Sequence, residues 1–128
     1  AAEQENSYIA SRNNFSFAML KALGSPQENI CVSPFNISSS LELAYFGANG
    51  ATKSELSAAL YLPMIDDKAL AESIKSTDSF FGASVTNARG LAVDTAFLPT
   101  DQYLQMVRDN LGAHAFEVNF KHKPQEAC

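Results

Sequence analysis

Apolar residues recur at helical spacing through the first part of the chain. From about residue 5 to residue 23, Tyr8, Phe15, Met19 and Ala22, flanked by Ile9 and Leu20, form one broad apolar face, and Gly24 and Pro26 supply the stop signals. The next segment, Asn29 to Val32, is too short for a helix and runs into a Ser-Pro pair, which predicts a brief strand over 29–32. Ser33 then suits an N-cap and Pro34 the first helical position, opening a helix over 34–48. That helix carries Leu41, Leu43, Ala44, Tyr45 and Phe46, so little of its circumference is left for water and other elements are expected on most of its sides. Gly47, Asn49 and Gly50 end it with residues that tolerate positive φ.

The pattern continues as helix and strand in turn. Thr52 and Glu55 have capping-box spacing and predict a helix over 53–61, closed before Pro63. Asp66, Asp67 and Lys75 place acid early and base late in an amphipathic helix over 66–77. Leu91 and Val93 alternate with Ala92 and Asp94 in a strand over 88–94, Tyr103, Leu104, Val107 and Leu111 mark a helix over 100–111, and Phe116, Val118 and Phe120 alternate in a strand over 114–120. The order is α+β. No internal repeat or low-complexity linker interrupts it, so the 128 residues read as one domain.

Composition narrows the function. A formal charge of −5, with no dense Lys/Arg cluster, argues against nucleic acid as a partner. No apolar run approaches the roughly 20 residues needed to cross a bilayer, which argues against membrane insertion. Cys31 sits in an apolar run and reads as a small buried hydrophobe; with Cys128 it leaves a disulfide or two thiols open, and neither makes a disulfide framework or a metal site. Asn14-Phe-Ser16 and Asn36-Ile-Ser38 match the glycosylation sequon, and Asn14 is the candidate acceptor, since the second lies where packing should exclude a glycan. For catalysis, only His114 and His122 are available, without a Gly-x-Ser-x-Gly elbow, a His-Glu-x-x-His pair or a phosphate-cradling loop. No catalytic, cofactor-binding or metal-ligating residue is therefore assigned, and no cofactor is expected.

Residues 14–56, "NFSFAMLKALGSPQENICVSPFNISSSLELAYFGANGATKSEL", closely resemble the N-terminal region of serpins. There a Phe-x-Phe helix leads to an Asn-Ile-x-x-Ser-Pro strand and a buried helix ending in Gly-Ala-x-Gly-x-Thr. Residues 90–120, "GLAVDTAFLPTDQYLQMVRDNLGAHAFEVNF", are similar to that family's central-sheet strand, following helix and next strand, ending at Val118-Asn119-Phe120. The resemblance implies a serpin-like N-terminal helical region with strands of a central antiparallel sheet, incomplete relative to a full serpin. It also implies that Phe15, Asn29, Ser33, Pro34, Asn36 and Leu41 belong to the shutter, the region governing the opening of that sheet. Asn36 replaces a usual small serine, which is expected to crowd the shutter or alter its hydrogen bonds.

The implied activity is inhibition of a serine or cysteine endopeptidase by insertion of a reactive loop, with this chain supplying scaffold and shutter. No reactive-loop hinge is present in these residues. The implied partners are the protease, engaged through the missing part, and either the remaining serpin segments or further copies of the chain. The alternative is a non-inhibitory serpin-like interaction module that binds through the edge left by the missing strands. Extracellular and cytoplasmic locations both stay open, with the former preferred.

Overall fold

The computed structural model describes residues 2–24, 27, 29–80 and 87–121. Among these residues five helices and two strands follow in the order α1 (Ala2–Leu23), α2 (Pro34–Gly47), α3 (Gly50–Ala59), α4 (Asp67–Ser79), β1 (Arg89–Asp94), α5 (Asp101–Leu111) and β2 (Ala113–Val118). β1 and β2 pair in parallel from Arg89 opposite Ala113 to Asp94 opposite Val118. The α5 crossover dictates this direction, because a helix between two strands of one sheet returns the chain to its starting end. The two strands thus run parallel to each other.

The helices stand where hydrophobic spacing, caps and stops coincide. Ser33 caps α2 by accepting from the Asn36 amide at 3.4 Å, Asp66 caps α4 by accepting from the Ala69 amide at 2.9 Å, and Thr100 caps α5 by accepting from the Tyr103 amide at 3.3 Å. α5 ends at Gly112 in the left-handed conformation, φ 59°. The core joins α1, α2, α4 and α5 through Tyr8, Phe15, Leu43, Leu70, Ile74, Val107 and Leu111, with Ala113 of β2 beside them.

Several expectations are corrected. No strand forms over 29–32: the segment is unpaired among the described residues, since β1 and β2 pair only with each other. Cys31 is consequently exposed rather than buried, while Cys128, His122 and Pro26 lie outside the described residues. α3 starts at Gly50, earlier than the Thr52 box predicts, and its N-cap Asn49 makes no side-chain capping bond. Glycine at positive φ lets the chain enter the helix before the threonine, which then lies inside it. In α1 the buried stripe is Tyr8, Ser11, Arg12 and Phe15, whereas Ile9 and Leu20 face outward at 37% and 51% exposure.

Two substitutions check this packing. Gly112→Ala meets no atom within 4 Å, so its cost is backbone strain alone, about 1–2 kcal/mol. Ile74→Ala empties a site that is 0% exposed and should cost about 2–5 kcal/mol. In urea unfolding of a full-length protein carrying this segment both midpoints should fall with the slope unchanged, and Gly112→Asn should lose less than Gly112→Ala.

Candidate functional site

The candidate site is the surround of α2. Glu42, the single charged residue of that helix, has a side chain 1% exposed, and a carboxylate at that depth requires donors. α1 delivers them: the Tyr8 hydroxyl donates to Glu42 Oε1 at 2.7 Å, and Arg12 Nη2 donates to Glu42 Oε2 at 2.9 Å and to Ser39 Oγ at 3.1 Å. Arg12 Nε donates to the Tyr8 hydroxyl. Tyr8 and Arg12 reach one spot because they are four residues apart, on successive turns of one helix face.

Ser39 Oγ also accepts from Arg89 Nη2 at 3.1 Å, which carries the network into β1. Arg89 Nη1 donates to the Leu111 carbonyl at 2.6 Å and pairs with Asp78 of α4. The Phe35 ring lies against both guanidinium groups, its centroid 4.4 Å from Arg12 and 5.8 Å from Arg89. Five elements, α1, α2, α4, β1 and the end of α5, therefore meet on one buried set of charges.

Burial pushes the Tyr8 hydroxyl up, and the Glu42 charge adds to that, so Tyr8 stays a protonated donor. Burial also pushes the Glu42 carboxyl above its usual range, against the opposing pull of Arg12 and the Tyr8 hydrogen bond. For Arg12, burial disfavours the charge, but Glu42 and Tyr8 outweigh it and hold the guanidinium ionised. Glu42 lies deeper than Arg12, 1% against 10% side-chain exposure, which is why burial prevails on the acid and the counter-charge prevails on the base. The arrangement holds elements together. Its serine accepts from two cationic donors, the reverse of what activates a nucleophile. Among the described residues no group of three His, Cys, Asp or Glu side chains is placed to hold a metal ion.

The sequence-predicted residues fall around α2 without sharing one contact set. Phe15 is buried in the core from α1. Asn29 is exposed in the unpaired segment, Ser33 is the exposed cap, Pro34 opens the helix half-buried, and Leu41 is half-buried against the core. Asn36 is exposed, its amide donating to Ser33 Oγ at 3.4 Å and its carbonyl accepting from Ser40 Oγ at 3.0 Å. The second sequon is likewise more open at its asparagine than expected, although Ser38 is buried and donates to the Phe35 carbonyl at 3.0 Å. Asn14 is exposed on α1. Sequence reasoning missed Arg12, Ser39, Glu42, Asp78 and Arg89. The available signal was one carboxylate inside an otherwise apolar helix.

Among the described residues α2 is covered on one side. Ser38, Ser39, Glu42, Leu43 and Tyr45 are buried, while Ser33, Ile37, Ser40, Ala44 and Gly47, at alternating spacings of four and three, form a continuous exposed stripe. Beside that stripe a cleft of about 600 Å³ runs to β1, lined by Ala44, Gly47, Leu91, Val93, Phe97 and Tyr103. Tyr103 seals its floor by donating to the Leu43 carbonyl at 2.8 Å, and its ring packs so near Gly47 that a Cβ there would meet it at 3.3 Å.

Comparison with known proteins agrees with this architecture. The family model described as serpin (serine protease inhibitor) matches residues 10–128. An uncharacterized serpin-like protein of Thermococcus kodakarensis is 34% identical, covering 98% of this chain and 30% of its own length. Iripin-2 of Ixodes ricinus is 31% identical over 98% of this chain and 34% of its own. Among solved structures, ovalbumin from emu (Dromaius novaehollandiae) superposes with a TM-score of 0.80 at 22% identity, covering 94% of this chain and 36% of that one. Cleaved Serpin 42Da gives 0.78 at 25% identity, covering 99% and 35%. The chain spans about a third of the length of the relatives it matches. The element order, the parallel β1–α5–β2 unit and a family match across nearly all of its residues make this chain a member of the serpin family, corresponding to the N-terminal part of the serpin domain.

Proposed function

We propose that this chain is the front part of a serpin-type inhibitor of serine, or alternatively cysteine, endopeptidases that acts by inserting a reactive loop into its central sheet. These residues supply scaffold and shutter, and the loop belongs to sequence beyond them. The family's description as serine protease inhibitors supports the class of activity. The observation that carries the reading is the exposed stripe of α2 beside the open cleft along β1. Small residues at 40, 44 and 47 leave a shallow surface over which a sheet can part and close without dragging large side chains, while Ile37 gives it apolar grip. In this reading Ser33 and Asn29 satisfy backbone groups of the moving sheet and Phe15 supports the floor from below. Exposed Asn14 is open to a glycan on the opposite helix.

The second reading is a non-inhibitory interaction module. It draws on apolar side chains left uncovered near β1 and β2, Phe97 at 80% and Phe116 at 44% exposure.

Three measurements test these proposals. A full-length protein carrying this segment should form an SDS-resistant complex with a serine endopeptidase, whereas the 128-residue chain forms none; simple cleavage of the full protein favours the interaction module. Ala44→Glu should change the stability of this chain by no more than about 0.5 kcal/mol, because the site is exposed. In the full-length protein the same change should cost about 2 kcal/mol or more, since the charge is then enclosed beneath a sheet; equal, small effects in both would remove the sheet from this face. In gel filtration the isolated chain should elute as a self-associated species, and a cooperatively unfolding monomer contradicts that.

A further inference from the structure

We infer that Glu42, Arg12, Ser39, Arg89 and Asp78 form an acid-sensing relay, in which proton uptake at Glu42 beneath α2 is transmitted through the Ser39 hydroxyl to the start of β1. The inference concerns this chain's own residues and stands whether or not the inhibitor reading does.

The geometry is that of a bridge with one narrow point. On one side, Arg12 Nη2 holds Glu42 at 2.9 Å and Ser39 at 3.1 Å. On the other, Arg89 Nη2 holds the same Ser39 Oγ at 3.1 Å, while Arg89 Nη1 is committed to Asp78 and to the Leu111 carbonyl. Two guanidinium groups thus share one small acceptor against one ring, Phe35, and are kept together by a carboxylate at each end. With both carboxylates ionised the set of Arg12, Arg89, Glu42 and Asp78 is neutral. A proton on Glu42 leaves it at +1 in a place where water does little to screen the excess.

The cluster also has slack to respond. Arg12 Nη1, Arg89 Nε and Asp78 Oδ1 are buried without hydrogen-bond partners among the described residues. When Glu42 is neutral its attraction for Arg12 weakens, and half-buried Asp78 is the remaining carboxylate, its Oδ1 without a hydrogen-bond partner among the described residues; its charge already acts on Arg12. The guanidinium is then drawn toward Asp78, and the shared Ser39 contact makes Arg89 answer.

The groups acting on Glu42 come from each neighbouring element. Tyr8 and Arg12 face it from α1, Arg89 from β1, and Asp78 from α4 through Arg89. α3 and α5 place Lys53 and Tyr103 on other turns of α2, Lys53 over the Tyr45 ring beside Asp67 and Tyr103 on the Leu43 carbonyl. Because burial raises Glu42 in the folded state, the fold takes up this proton before the unfolded chain does. The Glu42 contribution to stability is therefore full at acid pH below the ordinary carboxylate range, and is lost as pH rises through the raised value.

NMR titration of a full-length protein carrying this segment between pH 7 and pH 4 tests this, following the Glu42 side-chain carbon, the guanidinium nitrogens of Arg12 and Arg89, and the β1 amides. The expected result is one shared midpoint above the ordinary glutamate range at Glu42, Arg12 and Arg89, although Arg89 does not touch Glu42. Ser39→Ala should keep the Glu42 and Arg12 response and reduce that of Arg89 at least twofold, and Glu42→Gln should abolish all three. An Arg89 signal that is flat through the Glu42 midpoint, or equally responsive in Ser39→Ala, overturns the relay. Should Glu42→Gln fail to fold, Ser39→Ala alone still decides, because it removes only a hydroxyl.

Discussion

A carboxylate buried in the middle of an apolar helix constrains everything around it. Glu42 cannot remain ionised at that depth without donors, and the donors that serve it come from a helix distant in sequence. Satisfying it fixes the rotation of α1, because only the face bearing Tyr8 and Arg12 can turn inward. Fixing α1 decides that Phe15 enters the core and that Ile9 and Leu20 do not. Through Ser39 and Arg89 the same requirement sets where β1 begins, and Arg89 in turn engages α4 through Asp78 and the last turn of α5 through the Leu111 carbonyl. Hydrophobic burial makes these elements associate; the charge set chooses one arrangement among those the apolar surfaces allow.

This division of labour explains what was legible in the residues. Helices α2, α4 and α5 could be read because local signals agree along each: a capping side chain at Ser33, Asp66 and Thr100, a period close to 3.6, and for α5 a glycine at the end. β1 and β2 could be read from alternation; their parallel pairing was not read from the residues, and it follows in the structure from the crossover helix between them. The segment 29–32 failed because a strand is defined by its neighbour, and no neighbour is paired with it among the described residues; Cys31 lost its expected burial for the same reason. The start of α3 was misplaced because a side-chain capping pattern was weighed above the glycine that permits an earlier entry.

The candidate site was legible in part. The resemblance pointed to Phe15, Asn29, Ser33, Pro34, Asn36 and Leu41 as shutter residues, a role that belongs to the proposal, and the charge set was invisible to periodicity. Arg12 occupies an inward position that a polarity pattern assigns to solvent, and its reason for being there, Glu42, lies thirty residues away. The helix read as apolar all round hid that reason, since one glutamate among fourteen residues barely alters the average. What a pattern cannot display is which isolated polar residues are mutual partners.

The two faces of α2 therefore have opposite physics. Underneath, the helix is held by short directional bonds from charged groups that are costly to separate, so it resists both rotation and translation. Above, it offers Ile37 and the small residues Ser40, Ala44 and Gly47. A surface meant to be covered permanently would gain from large interdigitating side chains there, as in any close-packed interior. Small residues forgo that gain and leave a neighbour free to shift. In the proposed reading, where α2 is the floor beneath a moving sheet, strength belongs on the side away from the motion, and the buried network lies on the covered side of the helix.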